Sequence, residues 1–242
     1  MLDKKLIKKV LDTALSTAAD FAEVFIEDKF QTDASMISSK IQSVNNAKVF
    51  GVGVRIAKGY HRVYGYTNSP EEKDLLKLAS DLSQSFPGDS AGIDFELGEL
   101  VVGELHQAKI LPSEVSIDDK VDLLRRADKA AREYDEVISQ VQCRYQDYVQ
   151  NVWIANSEGT FVQDRRVRTR LAVAAVAAND VTKQTGFYGP GGTHGFEFYS
   201  EQVNVEEAAQ EAARIAKVML FADECPSGKM PVVIDNGFGG VI

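Results

Sequence analysis

Two hydrophobic periods alternate along this chain, and the order in which they occur is the strongest constraint on its fold. From Leu6 to Ala14 the apolar residues recur at steps of three and four, which is the period of an amphipathic helix. From Ala22 to Ile26 they fall at every second position, which is the period of a strand with one buried face. The N-terminal region is therefore predicted to form a helix followed by strands.

Turn signals divide the strands of this first region. Residues 45–48 (NNAK) are a plausible turn between two strands, and residues 57–60 (AKGY) turn the chain back into a third. The strand at residues 49–56 carries bulky apolar side chains on one face and Gly51 and Gly53 on the other, where a neighbouring layer can approach closely. A second helix is predicted after this hairpin.

The same order of elements recurs further along the chain. Ser116 and Asn204 are each followed, three positions later, by an acidic residue, and both are favourable N-caps of a helix. Between these two helices the residues alternate in the strand period, with a hairpin turn at residues 156–159. The repeat is one of element order and not of sequence identity, so a duplication is a possible origin.

The predicted fold class is α+β, with two units of antiparallel sheet and flanking helices. The first unit is placed at residues 1–85 and the second at residues 98–242. Residues 86–97 have linker composition, with proline, glycine and serine close together.

Composition excludes several classes of function. The formal net charge of −9 argues against a general affinity for nucleic acid or anionic membrane, because phosphate binding depends on clustered cations. No apolar run has membrane-spanning length, and the N-terminal helix does not have the form of a signal peptide. The two cysteines are too few for a disulfide framework. A cytoplasmic protein that does not bind membranes is expected.

The chain offers no convincing metal or catalytic set. His61, His106 and His194 are far apart in sequence, and none belongs to a pair with metal-ligand spacing. The serine, cysteine and carboxylate residues likewise show no spacing that isolates a nucleophile or a general base. No catalytic residue and no metal ligand is predicted within these 242 residues.

The most unusual segment is residues 185–200, TGFYGPGGTHGFEFYS. Its glycines permit backbone conformations closed to other residues and allow a ligand to approach the main chain. No Lys-Ser/Thr follows, so it is not a phosphate-binding loop. A binding role and an ordinary hairpin loop remain open alternatives.

A second candidate is the run RRVRTR, which places Arg166, Arg168 and Arg170 on one face of a strand. A nucleic-acid surface is conceivable. A solvated strand face is the favoured reading, since no aromatic residues are interleaved and the protein is acidic.

Three stretches together resemble the TldD/PmbA family of zinc metallopeptidases, once described as modulators of DNA gyrase. They are residues 22–68, with a Gly-Val-Gly-Val-Arg core at residues 51–55, residues 156–177, and the terminal PVVIDNGFGGVI at residues 231–242. The resemblance covers essentially all of residues 20–242. In TldD-type members a strand and glycine turn like the last of these leads into a helix with His-Glu-x-x-x-His, which is not present in this sequence.

The resemblance implies that the chain is the N-terminal half of a TldD-type protease, be it a cloned fragment, a degradation product or the product of a split gene. The full protein is expected to hold zinc and to hydrolyse unfolded peptides in a chamber formed by two subunits, as a homodimer or heterodimer with a TldD/PmbA-type partner. Within this chain, Gly189, Gly191, Gly192 and His194 are expected to contact the substrate on the chamber wall.

Two alternatives of other classes stay open. One is a non-catalytic, PmbA-like module that binds a peptide or a partner subunit. The weaker one is a nucleic-acid-associated regulator, as the older family description suggests.

Overall fold

A computed structural model describes residues 2–100 and 106–234 of the chain. Five α-helices and eight strands are present among these residues. The helices are α1 Lys4–Ala14, α2 Glu72–Ser83, α3 Ile117–Arg132, α4 Phe198–Glu201 and α5 Val205–Leu220. The strands are β1 Phe21–Ile37, β2 Lys40–Lys58, β3 His61–Thr67, β4 Gly98–Leu100, β5 Ile138–Asn156, β6 Thr160–Ala178, β7 Lys183–Tyr188 and β8 Gly191–Gly192. Among them no helix is both long and apolar enough to cross a membrane.

All eight strands belong to a single sheet with the order β3-β2-β1-β5-β6, in which β4, β7 and β8 all pair with the outer side of β6. Every pairing is antiparallel except that of β4 with β6. This confirms the α+β class with antiparallel strands and flanking helices.

The expectation of a separate sheet for each unit is corrected by the pairing of β1 with β5, in which Phe30 lies opposite Val149. A strand has two hydrogen-bonding edges; β2 occupies one edge of β1 and β5 satisfies the other. Residues 86–97 are not a solvent-exposed linker throughout, because Phe86, Phe95 and Leu97 are buried against the N-terminal core. The domain boundaries themselves stay a prediction.

The turn between β1 and β2 lies at Ser38 and Ser39, which have φ angles of 49° and 60°. The turn expected at residues 45–48 is therefore wrong. Those residues pair with β1 inside the long hairpin, with Asn45 opposite Asp33. Asp128 of α3 accepts hydrogen bonds from the backbone N–H and the hydroxyl of Ser39, which holds the left-handed turn in place.

The helices cover one face of the sheet in two groups. α1 and α2 lie over a core cluster that includes Val24, Val54 and Trp153. α3 and α5 lie over a second cluster that includes Tyr145 and Leu171. The sheet face opposite these helices is the one on which polar side chains accumulate.

Two helix starts were predicted correctly from their caps. Ser116 accepts a hydrogen bond from the N–H of Asp119 at the start of α3. Asn204 accepts from the N–H groups of Glu206 and Glu207 at the start of α5. Each cap satisfies donors that have no partner inside the helix.

Candidate functional site

The middle strands carry three polar rows across the sheet face opposite the helices. Because successive side chains of a strand point to opposite faces, every second residue of β1, β5 and β6 belongs to this face. The strand registers align these residues into the rows Lys29–Gln150–Arg166, Gln31–Tyr148–Arg168 and Asp33–Gln146–Arg170. The last two rows, together with Lys29, form the floor of the candidate site.

A cleft of about 750 Å³ lies over this floor. Lys29, Arg144, Arg168 and Arg170 supply its basic lining. Gly189, which follows β7, and Gly191 and Gly192, which form β8, make up one side of it. The cleft is thus bounded by the most unusual segment of the sequence and by the arginine run of β6.

The charges of the floor are only partly paired. Asp33 lies 2.6 Å from a guanidinium nitrogen of Arg144 and accepts a hydrogen bond of 2.9 Å from the amide of Gln146. Lys29 has its ammonium 4.6 Å from the ring centre of Tyr148, a cation–π contact. These contacts hold the floor side chains in place while leaving part of their positive charge unbalanced.

Arg170 faces the ring of Phe187 on β7, with 6.0 Å between the guanidinium and the ring centre. This contact connects the floor of the cleft to the strand that continues into the glycine-rich residues 189–195, the glycine segment. Within the described parts of the chain, no carboxylate lies within 4.0 Å of a cationic nitrogen of Lys29, Arg168 or Arg170. The cleft is therefore positive.

The structure brings three of the four predicted substrate-binding residues to the cleft. Gly189, Gly191 and Gly192 line it. His194 does not, because its ring stacks on Phe198 with 5.2 Å between the ring centres. The role of all four residues in substrate binding stays a prediction.

Gly186 and Gly191 are required by the internal packing of the chain, whether or not a ligand binds. A Cβ atom at Gly191, which pairs with Arg170 on β6, would lie 2.7 Å from the carbonyl oxygen of Thr169 on the same strand. A Cβ at Gly186 would lie 2.1 Å from the carbonyl oxygen of Ala212 on α5. Larger residues at either position would displace backbone, so the close approach that glycine permits is used within the fold.

A buried polar cluster fixes the strands beneath the floor. Thr32, Asp147 and Thr169 are neighbours across β1, β5 and β6 and point toward the helices. The ammonium of Lys120 on α3 lies 2.7 Å from Asp147 and donates a hydrogen bond of 2.8 Å to the Thr32 hydroxyl. The Thr169 hydroxyl is hydrogen-bonded to that of Tyr199 at 2.8 Å. Sequence reasoning missed this cluster, since its members are scattered along the chain.

Two tyrosines of the adjacent core, Tyr145 and Tyr199, have raised pKa values. Burial raises the pKa of Tyr145 far above its ordinary value, and the negative charge of Asp147 raises it further. Burial also raises the pKa of Tyr199. Both phenols are protonated at neutral pH. Tyr199 is hydrogen-bonded to Thr169, whereas the Tyr145 hydroxyl is buried without a hydrogen-bond partner among the described residues.

The described residues do not provide a zinc site. Across residues 2–100 and 106–234, no three His, Cys, Asp or Glu side chains are grouped so as to hold a metal ion. His61 and His106 are exposed, and His194 packs against Phe198. The zinc that the resemblance implies has no ligand set here. Residues 235–242, which end the third resembling stretch, lie outside the described residues.

Family models match both halves of the chain. Residues 22–85 match the PmbA/TldA metallopeptidase domain 1, and residues 110–220 match the PmbA/TldA metallopeptidase central domain. The matched residues include the strands that form the floor of the cleft and the glycine segment beside it.

Curated relatives carry corresponding names. A metalloprotease TldD homolog of Haemophilus influenzae is 30% identical over 205 residues, which are 79% of this chain and 41% of that protein. A metalloprotease TldD homolog of Buchnera aphidicola is 22% identical over 239 residues, which are 96% of this chain and 49% of that protein. The chain therefore spans about half the length of the curated relatives it matches.

Solved structures share the fold. A Thermotoga maritima protein described as a candidate modulator of a DNA gyrase matches with a TM-score of 0.74 and 19% identity, over 93% of this chain and 50% of that one. TldE from Thermococcus kodakarensis matches with a TM-score of 0.66 and 15% identity, over 88% of this chain and 47% of that one. The resemblance read from the sequence is confirmed: this chain belongs to the PmbA/TldD family of metallopeptidases.

Proposed function

We propose that this chain is the substrate-binding scaffold of a TldD-type zinc metallopeptidase that acts on unfolded peptides. The observation that carries the proposal is the polar cleft on the sheet face opposite the helices, bounded by Gly189, Gly191 and Gly192. A broad, solvated sheet face is suited to an extended chain, whereas a compact substrate would need a deeper pocket. The family membership supports peptide hydrolysis by the whole protein.

The floor offers hydrogen-bonding groups that do not demand one particular sequence. Gln31, Gln146 and Tyr148 can each bond to a peptide main chain, and amide side chains act as both donor and acceptor. β7 adds a strand edge beside the glycine segment, since no strand among the described residues pairs with its outer side. Pairing of a peptide with such an edge gives affinity through the main chain with little sequence specificity.

Catalysis is proposed for the whole protein and not for the residues described above. No catalytic or zinc-binding role is assigned to this chain, because its described residues lack a converging ligand set. The proposed location is the cytoplasm. The proposed partner is a second subunit of the TldD/PmbA type, as a homodimer or heterodimer, which would close the open sheet face into a chamber.

The direct test is hydrolysis of an unfolded protein by the product of the complete reading frame that contains residues 1–242. We expect this product to cleave a reduced, alkylated protein. A chelator should stop the cleavage, and added zinc should restore it. Arg168→Gln should reduce this cleavage without changing the zinc content. Binding of the substrate without any hydrolysis would instead favour the peptide- or partner-binding module.

The nucleic-acid alternative has its own test. Arg166, Arg168 and Arg170 are all exposed on β6, as expected for a solvated strand face, and Arg166 is paired with Asp164 at 2.8 Å. Salt-dependent DNA binding that disappears when the three arginines are replaced would favour a regulator. We expect no such binding from this acidic chain.

A further inference from the structure

The cleft is lined by more basic than acidic residues, although the chain as a whole is acidic. The formal net charge of the sequence is −9, yet the ionisable lining of the cleft consists of four basic residues and two acidic ones, apart from Tyr148. They are Lys29, Arg144, Arg168 and Arg170, with Asp33 and Asp147. A local excess of one sign in a cleft concentrates ligands of the opposite sign.

Both acidic residues of the lining are already neutralised. Asp33 is paired with Arg144 at 2.6 Å. Asp147 is buried beneath the floor and paired with Lys120 at 2.7 Å. Three cations, Lys29, Arg168 and Arg170, are left over, and no carboxylate of the described residues lies within 4.0 Å of their charged nitrogens. These three groups are available to an acidic ligand.

The spacing of the two arginines fits an extended peptide. Arg168 and Arg170 lie on the same face of β6, two residues apart, and are therefore separated along the strand by about 6.6 Å. Alternate side chains of an extended peptide have the same separation. Each guanidinium can form a forked, charge-assisted pair of hydrogen bonds with one carboxylate.

We propose that this cleft prefers extended peptides with acidic side chains at alternate positions, paired with Arg168 and Arg170 and attracted by Lys29. The inference rests on the proposed function, since it names the substrate class of the same cleft. The main-chain contacts set a basal affinity for any unfolded peptide. The arginines add a preference for glutamate or aspartate over neutral residues.

A peptide fits these observations better than a nucleic acid does. Binding to a phosphate backbone requires many cations along its length, and the neighbouring Arg166 is already paired with Asp164. The negative charge of the remaining surface also repels a polyanion more strongly than it repels a short peptide with two carboxylates.

The test compares two labelled peptides, with blocked ends and the same length, that carry either glutamate or glutamine at every second position. Fluorescence anisotropy with the full chain should show that the glutamate peptide binds about tenfold more tightly, the effect of roughly one charge-assisted contact. This preference should shrink as the salt concentration rises, because the contacts are exposed to solvent.

Two matched arginine variants separate the cleft from general charge effects. Arg168→Gln should remove most of the preference for glutamate. Arg165→Gln should leave it unchanged, because Arg165 is an exposed residue of the same strand that points to the opposite face and donates to Asn151. Arg168→Glu should favour a third peptide with lysine at the same positions.

The outcomes distinguish this inference from the function on which it rests. Equal binding of the glutamate and glutamine peptides would overturn the acidic preference and leave peptide binding intact. Failure of both peptides to bind would overturn the proposed function as well. Tighter binding of a DNA oligonucleotide than of the glutamate peptide would also overturn the inference.

Discussion

The ammonium of Lys120 lies 2.7 Å from a carboxylate oxygen of Asp147, and the two side chains are only 2% and 0% exposed. Neither oxygen of Asp147 accepts a well-aligned hydrogen bond from the described residues, so the ion pair is the main compensation for its buried charge. Lys120 belongs to α3 and Asp147 to β5. The pair therefore connects a helix to the strand that crosses the floor of the cleft.

Replacement of Lys120 by methionine is expected to lower the free energy of unfolding by about 3–5 kcal/mol, because it leaves a buried carboxylate without a partner. Urea unfolding measures this change. The control is Lys77→Met, which removes an exposed ion pair with Asp81 and should cost less than about 1 kcal/mol.

Should the single variant fail to fold, Lys120→Met combined with Asp147→Leu provides the decisive comparison. Removal of both charges is expected to recover much of the lost stability. A double variant no more stable than Lys120→Met would contradict the importance of the ion pair.

Gly186→Ala is expected to destabilise the protein by about 1–3 kcal/mol, because α5 has to shift to admit the new methyl group. The added Cβ would lie 2.1 Å from the carbonyl oxygen of Ala212 and 2.3 Å from the amide nitrogen of Ala216. Gly51→Ala is the matched control, since its nearest neighbour would be 3.9 Å away. Equal thermal stability of the two variants would show that α5 does not pack on β7 as described.

Only one of the two thiols should react in the native protein. Burial raises the pKa of Cys143 to about 12, so its reactive thiolate is scarce at neutral pH. Cys225 is exposed. Titration with a chromogenic disulfide reagent should therefore count one thiol in buffer and two in denaturant. Rapid reaction of both in buffer would mean that the core around Cys143 opens readily.

Glu197 is expected to make stability depend on pH in the acid range. Burial opposes its ionisation, but hydrogen bonds from backbone N–H groups, including those of Ile110 and Gly195, outweigh it and hold the pKa below the ordinary value. A carboxyl group whose pKa is lower in the folded state stabilises the protein fully when the pH is above its unfolded-state pKa, about 4.3. This stabilisation is lost as the pH falls through the pKa of the folded state.

The stability advantage of the wild type over Glu197→Gln should therefore be full near neutral pH and shrink below about pH 4.3. Urea unfolding over this range measures it. Glu158→Gln, at an exposed position of the β5–β6 turn, is the control and should not reproduce the trend. A difference between wild type and Glu197→Gln that stays constant with pH would contradict the proposed hydrogen bonding.

Local sequence patterns predicted those parts of the fold that depend on local physics. Alternation over Ala22–Ile26 correctly identified the buried face of β1, because side-chain direction in a strand has a fixed period. Ser116 and Asn204 correctly marked two helix starts, because capping is a contact between residues two or three positions apart. The β1–β2 turn was missed since non-glycine residues such as Ser38 seldom adopt positive φ.

The pairing of distant strands could not be read from the sequence. Asp33, Gln146 and Arg170 lie side by side on three strands, yet none of these residues carries a local signal of the others. The glycine segment was recognised as unusual, and three of its predicted residues do line the cleft. His194 was placed with them because the residue pattern alone did not show that its ring stacks on Phe198, four positions later.

The central claim is that an extended peptide lies in the cleft over β1, β5 and β6. The most direct measurement is photo-crosslinking of the bound glutamate peptide to the full chain, with the crosslinked residues identified by mass spectrometry. We expect crosslinks on the floor, at residues such as Gln146 and Tyr148, and at Gly189–Gly192. In Arg168→Gln the same crosslinks should form at lower yield, because the peptide keeps only its basal affinity. Crosslinks confined to the helices or to the edge strand β3 would contradict the central claim.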